Sequence, residues 1–308
     1  SGMLRRIPLL GFLLSAWDSF DQQALQLRSS LTAEQHAIEV KRIRELLLVA
    51  GLLLTLGYCF GDRPFFEETF GAFVSRHPRL ERYHELLSYT YWSLAKLLGY
   101  GVFPALHIAL RGERVGDFGL SLRGVSAVEE KIRLPWARMY LILLLGILPA
   151  VVVASFTASF QQNYPFYGKA SRSFFDFLAW ESEYLATFVA VEFFFRGYLL
   201  FGLRKYLGSL ALFVSMVPYC LIHVLKPAPE ALGSIFAGLL LGTLALCTGT
   251  LWSGVLLHVT VALSMDVLSS LQSGSIDFGA MNTGILQSEV KEFALVDLPF
   301  LFNDAKEV

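Results

Sequence analysis

Five side chains able to do acid–base or hydrogen-bond chemistry fall inside otherwise apolar runs: Glu192, Arg196, His223, His258 and Asp266. Glu192 and Arg196 stand four residues apart in Val191-Glu-Phe-Phe-Phe-Arg-Gly197, so on a helix they share a face and can pair. Nearly every other residue from Tyr184 to Leu203 is apolar. A lone charge in such a run costs several kcal/mol in hydrocarbon, about 2.5 to 3.5 even on lenient scales, so a charge kept there is by default functional. Arg196 on its own can be read as an anchor snorkelling to the water interface, with Arg204 and Lys205 one to two turns on. Glu192 resists that reading, because it falls near the middle of a span of about twenty residues.

A carboxylate and two imidazoles on neighbouring helices suit two chemistries. The carboxylate can take a proton from water while the imidazoles hold the developing oxyanion. The same three groups can instead hold zinc as His-His-Glu with one open position. No HExxH or similar spacing is present, and Cys59, Cys220 and Cys247 lie in apolar runs without a CxxC, so zinc ranks second and a metal-free, cofactor-free site is expected. Two further acids are near in sequence. Glu181 precedes Glu192 by three helical turns, about 16 Å, too far to share its work on an unbroken helix. Asp266, about 80° round the helix from His258, can orient a histidine only if the site lies deep.

The elements that must position these groups are membrane helices. The chain has 308 residues, 55% hydrophobic and 17% charged, with a mean hydropathy of +0.54. Soluble domains carry about 25% charged residues, so the composition predicts an all-α polytopic membrane protein. A net charge of −1 and the lack of a long basic run exclude a nucleic-acid partner. Hydropathy predicts seven spans, at about 45–60, 86–110, 136–156, 180–206, 210–225, 231–247 and 251–271, or eight if the N-terminal run inserts. Ser1-Gly2 reads as the remnant of a cleaved tag, and the apolar run to Trp17 as an interfacial helix. Gly99, Gly101 and Pro104 predict a kink in the second span. Ser234, Gly238 and Gly242, at steps of four, predict close approach of a neighbouring helix. Basic residues flanking the first span and filling 111–133 favour a cytoplasmic N-terminus, although Arg63, Arg76, Arg79 and Arg82 pull the other way.

Three motifs together carry a resemblance: Glu192-Phe-Phe-Phe-Arg196-Gly197; Tyr219-xxx-His223 with Lys226-Pro227 behind it; and Gly249-Thr250-Leu251-Trp252 leading to His258. Their order and spacing resemble the CAAX-protease and bacteriocin-processing family of intramembrane glutamic endopeptidases over roughly 178–266, with Gly116 to Leu120 resembling a segment often found upstream. The resemblance implies a conical active-site cavity, Glu192, His223 and His258 as catalytic groups, and Arg196, Tyr219 and Asp266 in support. Two positions depart from the family pattern. Val191 stands where the first glutamate of the pair belongs, and Ala262 where an asparagine would help hold the oxyanion.

The organisation expected is an N-terminal interfacial and cytoplasmic segment (1–44), three spans with their loops (45–173), a catalytic core of four spans (174–271) and a tail (272–308), whose apolar stretch 293–302 could lie on the membrane surface. The function expected is hydrolysis of a peptide bond in a membrane-associated or lipidated protein, by water activated at Glu192, in a bacterial inner membrane. The alternatives are a catalytically silent relative that binds a partner or confers immunity, and a small transporter, which the lack of inverted halves disfavours.

Overall fold

The computed structural model describes residues 8–123, 136–224, 226 and 228–274. Among them every regular element is helical, and six helices are long and apolar enough to cross a membrane. The protein is therefore an all-α integral membrane protein. The expected tail stretch 293–302 and part of the basic loop lie outside the described residues.

Helix α1, Pro8–Ser30, extends well beyond the short interfacial run expected, and buries Ala16, Phe20 and Ala24 on one side. Helix α2, Ala33–Phe60, starts at a capping box in which Thr32 and Gln35 satisfy each other's backbone N–H groups, so the charged stretch and the first span form one rod. Asp62 and Pro64 begin a set of short surface helices, and α3 follows at His84–Leu110. The kink expected at Gly99 is instead a π-helical segment, Leu97–Val102, set within a continuous helix. The glycines and Pro104 are accommodated there by one widened turn rather than a break.

Helix α4, Trp136–Ser155, packs along α8, Trp252–Gln272. Between them in the chain come α5, Phe174–Leu207, α6, Leu210–Leu221, and α7, Ala228–Thr248. Helix α5 is the axis of the bundle. Of its apolar window 78% is buried, against 6% for Ala137–Ser155, and α3, α6 and α8 pack around it. The predicted stripe on α7 behaves as expected against α6: an added Cβ on Gly238 would sit 2.9 Å from Met216 Cγ, and one on Gly242 would sit 2.8 Å from Leu212 Cδ2.

The count of seven full spans is corrected by α6. The apolar run to Leu225 predicts a crossing, yet the helix ends at Leu221 after 12 residues. Beyond it His223 and Lys226 donate backbone N–H groups to the carbonyls three residues back, Cys220 and His223, in successive tight turns. Lys226-Pro227 favours this exit, because the residue before a proline is steered away from helical angles.

Candidate active site

Helix α5 changes character at Glu192. Phe174–Glu192 is α-helical, and Phe193–Phe201 is π-helical and wholly buried. Widened π turns of this kind recur at functional sites. Glu192 and Arg196 are 1% and 2% exposed. Glu192 Oε1 lies 3.1 Å from Arg196 Nη1, so the pairing expected from the four-residue spacing is present. The same oxygen lies 2.8 Å from His258 Nδ1 on α8. Neither N–H aims straight along its contact, so the ion pair with Arg196 and simple proximity to His258 hold the cluster, and Glu192 Oε2 and Arg196 Nη2 accept or donate no straight hydrogen bond among the described residues.

The close approach of α8 depends on Gly254, one turn before His258. An ideal Cβ there would fall 2.6 Å from Glu192 Oε2. A small residue one turn from a polar one on the same face is the signal that the sequence carries for this approach.

Tyr219 on α6 links the remaining groups. Its hydroxyl is 3.4 Å from His258 Nε2, its ring lies 4.1 Å beneath the Arg196 guanidinium, and its carbonyl accepts from His223 Nδ1 at 2.7 Å. The His223 and Tyr219 rings stand 4.6 Å apart. With Nδ1 of His258 toward a carboxylate, its Nε2 is the nitrogen left as an acceptor. His258 is also the exposed edge of the cluster: its side chain is 22% accessible, against 1% for Glu192. Phe188 stacks on it at 5.4 Å. At this cluster the accessible surface lies on the histidine, while Glu192 and Arg196 are enclosed.

Asp266 is not part of this cluster. It accepts from Trp180 Nε1 at 2.8 Å and meets Glu181 carboxyl to carboxyl, two turns farther along α8. Helices α5 and α8 run antiparallel, so moving down one from Glu192 to Glu181 corresponds to moving up the other from His258 to Asp266. The supporting role expected for Asp266 toward a histidine is therefore replaced by closure of the far end of the same seam. Ala262 lies between the two levels, 4% exposed and packed with Trp180 and Tyr184.

The segment Gly116 to Leu120 clasps the start of α8. Gly119 carbonyl accepts from Leu251 N and Thr250 Oγ1, each at 3.0 Å, and Leu120 carbonyl accepts from Trp252 Nε1 at 2.8 Å. Gly119 has φ +84°, and Gly197 on α5 leaves room for the loop: a Cβ there would meet Phe118 carbonyl oxygen at 2.9 Å. The motif before His258 and the glycine after Arg196 are thus fixed to one loop, which sets the two helices that carry the site.

Among the described residues no group of three or more His, Cys, Asp or Glu side chains is arranged to hold a metal. Residues 174–264 match the family of type II CAAX prenyl endopeptidase Rce1-like proteins. No curated protein and no solved structure matches the chain.

Proposed function

We propose that this chain, whose residues 174–264 form an Rce1-like domain of the CAAX-protease family, is a membrane-embedded endopeptidase. Its substrate in this reading is a membrane-associated or lipidated protein, and the water is activated at His258 with Glu192 behind it. The observation that carries the division of labour is the 2.8 Å contact between Glu192 and His258 Nδ1. Glu192 is enclosed and shared between a guanidinium and an imidazole, which leaves it no open face toward a water on the substrate. It is well placed to hold an imidazole in one tautomer and to balance the charge that the imidazole gains.

In this scheme His258 Nε2 takes a proton from water as the oxygen adds to the substrate carbonyl. The oxyanion so formed draws on donors at the same level, the Tyr219 hydroxyl and His223 Nε2–H when that ring is protonated. The proton on His258 then passes to the departing amine, which leaves the carboxyl product and the neutral imidazole. Arg196 holds the Glu192 carboxyl in place through the 3.1 Å contact. Val191 and Ala262, in place of the family's glutamate and asparagine, make this site leaner than the family pattern and shift its chemistry onto His258.

The test is cleavage of a panel of prenylated and unmodified membrane peptides by purified protein, with His258→Ala and Glu192→Gln as controls. Cleavage that disappears in His258→Ala supports the proposal. Wild-type protein inactive on every member, together with binding of the same peptides, would establish the silent-relative reading instead.

A further inference from the structure

A second polar feature lies outside the bundle's catalytic level, where α1 crosses the end of α5. Phe20, Gln23 and Leu27 of α1, Arg204 and Lys205 of α5 and Leu246 of α7 enclose a half-open cavity of about 220 Å³. Its floor is apolar: Leu246 and Phe20 are 1% and 7% exposed. Its mouth carries two cations, Lys205 being exposed to solvent.

Arg204 is the unusual member. Its guanidinium sits 4.8 Å over the Phe201 ring, and its Nε is buried without an acceptor among the described residues. Among the described residues no acidic side chain is paired with it. The nearby carboxylate of Asp21 is committed elsewhere, accepting from Ser209 N at 2.7 Å and Ser209 Oγ at 2.9 Å. Two other arginines of the bundle have their anions: Arg196 has Glu192 and Arg42 has Glu113 at 2.7 Å. Arg204 alone among these three faces a space instead.

An uncompensated guanidinium fork beside an ammonium group, with an amide at Gln23 and apolar walls, matches a phosphate bearing an apolar arm. Its position, at the polar end of a membrane-spanning helix, is the depth at which lipid headgroups lie. We propose that this cavity binds the phosphate of an anionic phospholipid, with Arg204 and Lys205 on the phosphate oxygens and the acyl portion against Phe20, Leu27 and Leu246. Such a lipid would join α1 to α5 and α7, adding to Trp17 Nε1 donating to Thr243 Oγ1 at 2.8 Å and to the bonds of Asp21 with Ser209.

The full chain, purified in detergent and stripped of lipid, would be titrated with dioctanoyl-phosphatidylglycerol, dioctanoyl-phosphatidylcholine and inorganic phosphate while its melting temperature is followed. The proposal expects phosphatidylglycerol to raise the melting temperature, with the other two probes much weaker. Arg204→Gln should weaken the apparent affinity about tenfold or more, the loss expected for charge-assisted hydrogen bonds. Leu27→Trp, which fills the cavity and leaves Arg204 in place, should abolish the response and decides the matter if Arg204→Gln does not fold. Equal stabilisation by phosphatidylcholine, the whole shift from inorganic phosphate, or an unchanged response in Leu27→Trp would each overturn the proposal.

Discussion

Gly254 and Glu192 are fitted to one another across two helices: a single carbon added to Gly254 would lie 2.6 Å from Glu192 Oε2. Gly254→Ala should therefore displace the carboxylate from His258 while leaving every ionisable group in the chain. Misplacement of a catalytic group by about 1 Å can cost on the order of 100-fold. We expect a loss of that order in kcat on a cleaved peptide, with KM little changed. Turnover equal to wild type would show that the carboxylate does not depend on this contact.

If Glu192 works only through His258, the two are not independent. The double variant Glu192→Gln with His258→Ala should then be no slower than His258→Ala alone, as is usual for residues that act as a unit. A double variant slower than His258→Ala by the full Glu192→Gln factor would return the base role to Glu192, as the sequence reading had it.

The clasp between the 116–120 loop and α8 should be measurable as stability. Trp252→Phe keeps the ring and removes the donor to Leu120 carbonyl, at an expected cost of about 1 kcal/mol. Gly119→Ala should cost more, about 1 to 3 kcal/mol, since it places a side chain at φ +84° and 3.2 Å from the Phe201 ring. Denaturant titration in detergent gives both values, and a neutral Gly119→Ala would mean that the loop is not a fixed brace.

A pH dependence is expected at the polar end of α2. Burial alone would push the Glu113 carboxyl up, but hydrogen bonds and charge from Arg42 and Arg111 outweigh it and hold the carboxyl below the usual range. A depressed carboxyl contributes stability that is present above its unfolded pKa and lost as pH falls through its folded one. Wild-type melting temperature should accordingly drop on acidification through and below the ordinary carboxylate range, and Glu113→Gln should start lower and drop less. Parallel curves for the two proteins would contradict this.

Local rules served the sequence reading well and long-range register did not. Glu192 and Arg196 are four residues apart, so their pairing follows from helical geometry alone. The small-residue stripe on α7 was legible for the same reason, as a period read along one segment. The meeting of His258 with Glu192 came from family resemblance, because nothing in either helix fixes its register against the other. The closure of Asp266 with Trp180 and Glu181 was missed on that account: it depends on two helices running antiparallel at one particular offset, 86 residues apart in the chain. The end of α6 was missed because hydropathy is blind to backbone. Ile222 and Val224 are as apolar as the helix before them, yet residues 222–224 turn.

The brevity of α6 reaches beyond the site into the bilayer. Its 12 residues span about 18 Å at 1.5 Å each, against a hydrocarbon core of about 30 Å. A helix of that length in a bilayer would leave the tight turns carrying His223 inside the apolar slab, a deficit that thinning of the lipid layer on that flank would meet. If the chain cleaves substrates as proposed, turnover becomes sensitive to membrane thickness: reconstitution into progressively longer-chain lipids should slow it, because each added methylene makes a dimple over His223 harder to maintain.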